Sequence, residues 1–284
     1  MDSLKITKEI LNKYDIRAKK AYGQNFLIDD NVLKQIASLA NINDKDLIIE
    51  IGPGLGNLTY YLKDSNLLLV EIDEKMIEIL KDRFLDNDNI KIINKDILKI
   101  DIDLEIEKLE KEKNIKFENI KVVANLPYYI TSPIIFKLLE DSKKVKEIIV
   151  MVQEEVADRI ASKSKSKDYG VLTVMINYYA KSNKEITVES SSFIPSPNVT
   201  SAVVKIIKED KYENINNEIF RELIHKSFAN RRKKLSNSLV NNNLLGLSKE
   251  EIIKILTECN ITSNARAEEL DIDKYIQIAE KLNK

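Results

Sequence analysis

Short apolar runs alternate with amphipathic stretches through the first part of the chain. Runs at 47–51, 67–72, 90–93, 120–124, 147–152, 171–179 and 201–207 have the length and the Ile, Val and Leu content of buried strands. Between them, 31–40, 58–62, 74–84, 132–139 and 154–161 place apolar residues at helical spacing. This alternation predicts a parallel, doubly wound sheet. The last two strands have no helix between them and are expected to end the sheet antiparallel. After Lys208 the pattern changes: 208–214 reads as a polar linker, and 217–228, 231–240, 249–258 and 267–282 are all helical in period. The expected fold class is therefore α/β, a Rossmann-like domain over 1–208 with a mainly parallel seven-stranded sheet. A small all-helical domain over 209–284 follows it. The sign-alternating run 104–118 reads as a surface helix or an insertion.

Composition narrows the chemistry. The chain has 284 residues, 43% of them hydrophobic, and no apolar run approaches the ~20 residues of a membrane span. The N-terminus lacks the basic and apolar regions of a signal peptide. One cysteine, Cys259, excludes an intramolecular disulfide and a multi-thiolate zinc site. One histidine, His225, leaves little scope for His-based metal or triad chemistry. A soluble, cytoplasmic protein without a metal is expected. Net charge is −1, yet two segments are locally basic. Arg221, Lys226, Arg231, Arg232, Lys233 and Lys234 face only Glu222, and Lys13, Arg17, Lys19 and Lys20 face Asp15. Either patch suits a directed phosphate contact or a plain solvated face.

The ends of the predicted strands carry the candidate chemistry. The run at 120–124 leads into Asn125-Leu126-Pro127-Tyr128, where open α/β sheets place their ligands. An amide oxygen and a backbone carbonyl can accept hydrogen bonds from an exocyclic amino group. Pro127 stiffens the turn, and Tyr128 offers a ring for stacking on a flat base. The first strand runs into Gly52-Pro53-Gly54-Leu55-Gly56, which lets the backbone pass close to a ligand. Asn57 stands where a dinucleotide fingerprint calls for Gly or Ala, against a dehydrogenase. Glu71, about 20 positions on, is placed to accept ribose hydroxyls, with Asp73 capping the next helix. Asp96, after the third strand, is either an acceptor for an adenine amino group or a turn residue.

Jointly these strand ends resemble the adenosylmethionine-dependent methyltransferases that act on exocyclic amines. Within them the chain is similar to the KsgA/RsmA family of rRNA adenine dimethyltransferases. Three further motifs carry the resemblance: Ala21-Tyr22-Gly23-Gln24-Asn25-Phe26-Leu27, Phe193-Ile194-Pro195-Ser196-Pro197-Asn198-Val199 with Ser201-Ala202-Val203, and Phe228-Ala229-Asn230-Arg231-Arg232-Lys233-Lys234-Leu235 with Asn237-Ser238-Leu239. It runs essentially end to end. The resemblance implies a class I methyltransferase domain in which Asn25, Leu27, Gly52, Glu71, Asp96 and Asn125 surround S-adenosylmethionine. It also implies catalytic roles for Asn125, Leu126 and Tyr128, and a second ring, Phe193, against the target base. Arg231, Arg232, Lys233 and Lys234 would bind RNA, the implied partner being 16S rRNA in the small subunit or its precursor, met by a monomer. Two rivals stand beside this one. A sister enzyme of the macrolide-resistance type methylates large-subunit rRNA and usually carries Ile in place of Leu126. The other is a non-catalytic assembly factor on the same scaffold.

Overall fold

The structure, a computed structural model, describes residues 1–16, 25–230 and 232–283. In chain order its main elements are α1 (Ser3–Lys13), β1 (Phe26–Leu27), α2 (Asp30–Leu39), β2 (Leu47–Ile51), α3 (Asn57–Leu62), β3 (Asn66–Glu71), α4 (Glu74–Arg83), β4 (Ile90–Asn94), α5 (Ile102–Lys113) and β5 (Ile120–Asn125). There follow α6 (Thr131–Glu140), β6 (Val145–Gln153), α7 (Glu154–Ile160), α8 (Val171–Tyr179), β7 (Ala180–Val188), β8 (Phe193–Ile194), β9 (Ser201–Lys208), α9 (Asn217–Phe228), α10 (Leu235–Asn241), α11 (Lys249–Glu258) and α12 (Ile272–Leu282). Among the described residues no helix is long and apolar enough to cross a membrane.

The main sheet has seven strands in the order β4-β3-β2-β5-β6-β9-β7, and a two-stranded ribbon joins β1 to β8. Neighbours from β4 to β6 pair in parallel, as the alternating pattern requires. β9 runs antiparallel to β6, from Glu147↔Ile207 to Gln153↔Ser201. Every residue of β2 is buried, consistent with a strand covered on both faces. Leu33 and Ile36 of α2, Leu58 and Leu62 of α3 and Leu80 of α4 belong to the same apolar cluster as Ile48 of that strand.

Several predicted details are corrected. Residues 171–179 are not a strand but the helix α8, whose Leu172, Val174, Met175, Ile176 and Tyr178 are all buried. The seventh strand is instead β7, mostly polar and partly exposed, at the end of the sheet. The helix expected at 231–240 begins at Leu235, and the one at 267–282 is a short 3-10 turn followed by α12. The run 104–118 is largely the helix α5.

The chain divides into two compact units, one of Met1–Ala157 with Asn183–Lys208 and one of Asp158–Ser182 with Glu209–Lys284. One division between the units falls after Lys208, and 158–182 groups with the C-terminal helices. The reason is aromatic packing inside that unit. The Tyr178 ring of α8 stacks on Phe220 of α9 at 3.8 Å between centroids and on Tyr212 at 5.3 Å. The "linker" residue Tyr212, partly buried, thus packs on the second unit's core.

Candidate active site

The order of the sheet reverses at β2, which has β3 on one side and β5 on the other. In doubly wound sheets the crevice beyond the strand ends at such a point is where ligands bind. A cavity of about 250 Å³ lies there within the first unit. Asn25, Leu27, Gly52, Glu71, Asp96, Asn125, Leu126 and Tyr128 all line it. Residues spread over about a hundred sequence positions converge because four parallel strands end at one edge.

The glycine loop forms the floor. Gly52 has φ of +65°, and a Cβ there would meet nothing within 4 Å, so the loop leaves open space above its backbone. Gly56 has φ of +80°, and a Cβ would come 2.7 Å from the ring of Phe84, so this glycine lets α3 seat against α4. Asn57, at the start of α3, does what a third fingerprint glycine could not. Its Nδ2 donates to Thr7 Oγ1 at 2.8 Å and to the Leu27 carbonyl at 2.9 Å, tying α1 and β1 to the loop.

The walls are acidic. Glu71, buried at the end of β3, accepts backbone N–H bonds from Gly54 (3.1 Å), Ile72 (2.9 Å) and Asp73 (2.9 Å). A carboxylate has about four acceptor sites, so three bonds still leave capacity for a ligand hydroxyl. Burial pushes the Glu71 pKa up despite those three donors. Asp96 lines the cavity and is also a turn residue: its Oδ1 accepts from Leu98 N at 3.0 Å. Glu50 was not among the expected site residues. It is wholly buried beneath the loop, accepts from Thr59 Oγ1 at 2.7 Å, and burial raises its pKa to about 8. Among the described residues, Glu71, Asp73 and Asp96 line the cavity beside the proton-holding Glu50, against one lysine, Lys95, whose Nζ pairs with Glu105 at 2.9 Å. Such a pocket suits a cationic ligand and repels a pyrophosphate.

The remaining wall is the turn after β5. Asn125 donates its Nδ2 to the Asn25 carbonyl at 3.2 Å, so its Oδ1 is the atom left to accept. Leu126 donates its N–H to the Met151 carbonyl at 3.1 Å, fixing the peptide that carries its own carbonyl. The Pro127 carbonyl is taken by Ile130 N and Thr131 Oγ1. Tyr128 is half-buried and held through its hydroxyl, 2.7 Å from Ser201 Oγ, while Tyr129 beside it stays exposed.

Comparison with known proteins agrees with this geometry. The family model for ribosomal RNA adenine dimethylases matches residues 15–284. The chain belongs to the ribosomal RNA adenine dimethylase family. Proteins named ribosomal RNA small subunit methyltransferase A from Bacillus cytotoxicus and from Geobacillus sp. WCH70 are each 42% identical over 97% of this chain and 95% of theirs. Among solved structures, a dimethyladenosine transferase from Plasmodium falciparum superposes with a TM-score of 0.75 at 26% identity, covering 91% of this chain and 97% of that one. The 23S rRNA methyltransferase ErmE shares the fold at 0.64 and 23% identity, over 92% of this chain and the whole of its own. Fold and family make the protein a methyltransferase, and they imply a methyl donor.

Not every residue expected to serve an rRNA adenine dimethylase lies at the cavity. Phe193 is 2% exposed, pairs with Leu27 across the β1–β8 ribbon and packs in the core. Arg232, Lys233 and Lys234 line a separate cleft of the second unit with Asn237, Asn241, Asn264 and Arg266. Arg231, Ala21-Tyr22-Gly23-Gln24, and Arg17, Lys19 and Lys20 of the N-terminal basic patch lie outside the described residues. Besides Glu50, sequence reasoning missed Ile72, 52% exposed on the cavity wall. A large apolar residue straight after a strand-end carboxylate was the available signal.

Proposed function

We propose that this protein transfers methyl groups from S-adenosylmethionine to the exocyclic amino groups of two adjacent adenosines in the loop of the 3′-terminal hairpin of 16S rRNA, giving dimethyladenosine during small-subunit biogenesis. The observation that carries the reading is the Asn125 amide, anchored by its nitrogen and presenting an oxygen at an acid-lined cavity. The residues fit the donor: open space over Gly52, a buried carboxylate at Glu71 and an excess of negative charge for a sulfonium cation. Asn25, Leu27, Gly52, Glu71, Asp96 and Asn125 would hold it, with Ile72 and Ile97 as apolar cover for its base. When bound, S-adenosylmethionine supplies an electrophilic methyl group.

The chain's own residues supply the rest. An adenine amino group is a weak nucleophile because its lone pair is delocalised into the ring. Asn125 Oδ1 and the Leu126 carbonyl accept its two hydrogens, favouring a pyramidal nitrogen with an available lone pair. Tyr128 stacks on the base, which must leave its own stack to enter; such a contact is worth about 1–3 kcal/mol. Positioning then lowers much of the remaining barrier. One hydrogen remains after the first transfer, so the same acceptors serve a second. The basic cleft of the second unit would grip RNA phosphates, and the protein would work as a monomer in the cytoplasm.

The 42% identity to small-subunit methyltransferases favours 16S rRNA over the large-subunit rRNA named for the ErmE likeness. Methyl transfer from labelled S-adenosylmethionine to unmethylated small subunits, set against large-subunit rRNA, tests this. Dimethyladenosine in the small subunit alone is expected. Labelling of the large-subunit RNA instead overturns the substrate, and no labelling of either points to the binding-only assembly factor.

A further inference from the structure

We propose that the loop 162–168 is a second phosphate-binding element for the RNA, linked to the basic cleft of the same unit. The proposal rests on the reading of the protein as an rRNA methyltransferase. The loop reads Ser162-Lys163-Ser164-Lys165-Ser166-Lys167-Asp168, three ammonium groups alternating with three hydroxyls against one carboxylate. All three lysines are exposed. Ser162 Oγ is engaged by the Arg159 carbonyl and Ser166 Oγ is buried, which leaves the exposed lysines as the binding groups; lysine is a mobile point charge that suits phosphate oxygens rather than base edges.

One hydrogen bond places the loop beside the turn that borders the cleft. The Lys165 N–H donates to the Glu268 carbonyl at 2.8 Å. Glu268 lies in the 3-10 turn Ala267–Glu269, whose N-cap is Arg266. Arg266 lines the cleft with Arg232, Lys233 and Lys234, and its N–H is fixed by Glu269 Oε2 at 3.0 Å. Loop and cleft are thus linked through the turn at 266–269, which borders both. The base of the loop is pinned as well: Ser162 Oγ donates to the Arg159 carbonyl at 2.9 Å and lies 3.0 Å from Thr173 Oγ1. A solvated loop needs none of this fixing. Lys165 has φ of +69°, the left-handed region that long side chains rarely adopt. A cation rather than a glycine holds that position, and an outlier of this kind points toward function.

The test is salt-dependent binding of the full chain to an unmethylated small-subunit rRNA transcript. Removing one phosphate contact lowers the slope of log K against log salt by about 1. Lys163→Ala with Lys165→Ala is expected to bind about tenfold more weakly near ~0.1 M salt, with the slope reduced by about 1–2. S-adenosylmethionine affinity and the thermal midpoint should not move. Lys163→Arg with Lys165→Arg should restore both slope and affinity. Lys165→Gly, which removes the charge but suits the backbone, should behave like Lys165→Ala. Unchanged affinity and slope in the double alanine variant, while Arg232→Ala with Lys233→Ala lowers both, would overturn the proposal. So would a weakening that the arginine variant fails to repair. A wild-type chain that neither binds nor methylates the transcript would instead sink the underlying function, and this loop's role with it.

Discussion

At the scale of single residues, the site depends on groups whose second bonding atom is already used. Asn125 is the plainest case: its nitrogen is tied to the Asn25 carbonyl, so its oxygen is the atom left to accept. Asn125→Ala should lower methyl transfer by about 10²-fold or more, as loss of one oriented polar group does elsewhere. The fold should lose only about 1 kcal/mol, the usual worth of one hydrogen bond. Methyl incorporation and a thermal melt measure both, and near-normal methylation would refute the role. Glu50 makes a different prediction. Its folded pKa, about 8, lies above the ordinary glutamate value of 4.5. Between those values the folded chain keeps a proton that the unfolded chain has lost, so this group's contribution is greatest at low pH and is lost as pH rises toward 8. At about 1.4 kcal/mol per unit the decline amounts to a few kcal/mol. Glu50→Gln should flatten it in urea titrations at pH 5 and pH 8; equal slopes in the two proteins would show that the carboxyl is not held protonated.

At the scale of elements, the strands of the parallel sheet could be read from their apolar runs because both faces are covered. The errors fell where that rule loses its grip. Residues 171–179 are mostly apolar, and a helix buried over most of its surface has the same look as a buried strand. β7 escaped notice for the opposite reason, since a polar end strand carries no continuous apolar signal. The cavity was legible as a set of strand ends, but the burial of Phe193 was not: which way a two-residue ribbon turns its rings depends on pairing, not on local sequence. Lys121, inside a buried strand, looks like a flaw and is a clamp. Its Nζ lies 2.7 Å from Asp46 and donates to the Ala40 and Asn41 carbonyls, joining the starts of β2 and β5. Burial alone would raise the Asp46 pKa, and its bonds with Lys121, Asn119 and Asn43 hold it below its usual range. Lys121→Met should cost about 3–5 kcal/mol by stranding a buried carboxylate. Adding Asp46→Asn should recover most of it in a denaturation double-mutant cycle; simple additivity would argue against a clamp.

At the scale of the whole molecule, the second unit is built from two stretches of chain. Without 158–182 it lacks Tyr169 and Tyr178, whose rings lie 6.2 Å from Phe228 and 3.8 Å from Phe220. A fragment of 209–284 should therefore fail to melt cooperatively by circular dichroism, whereas the intact chain does; a sharp transition in the fragment would show that the helices suffice alone. The hydrophobic pattern gave no hint of this discontinuity, because the pairing of α8 with α9 is a long-range contact that no local window contains.

That discontinuity bears on how such a protein is made and inherited. As the chain leaves the ribosome, α8 emerges well before α9 and must wait with its aromatic face uncovered until the last helices appear. It also means that no single crossover between genes could hand the complete second unit to another methyltransferase. Two junctions would have to move together.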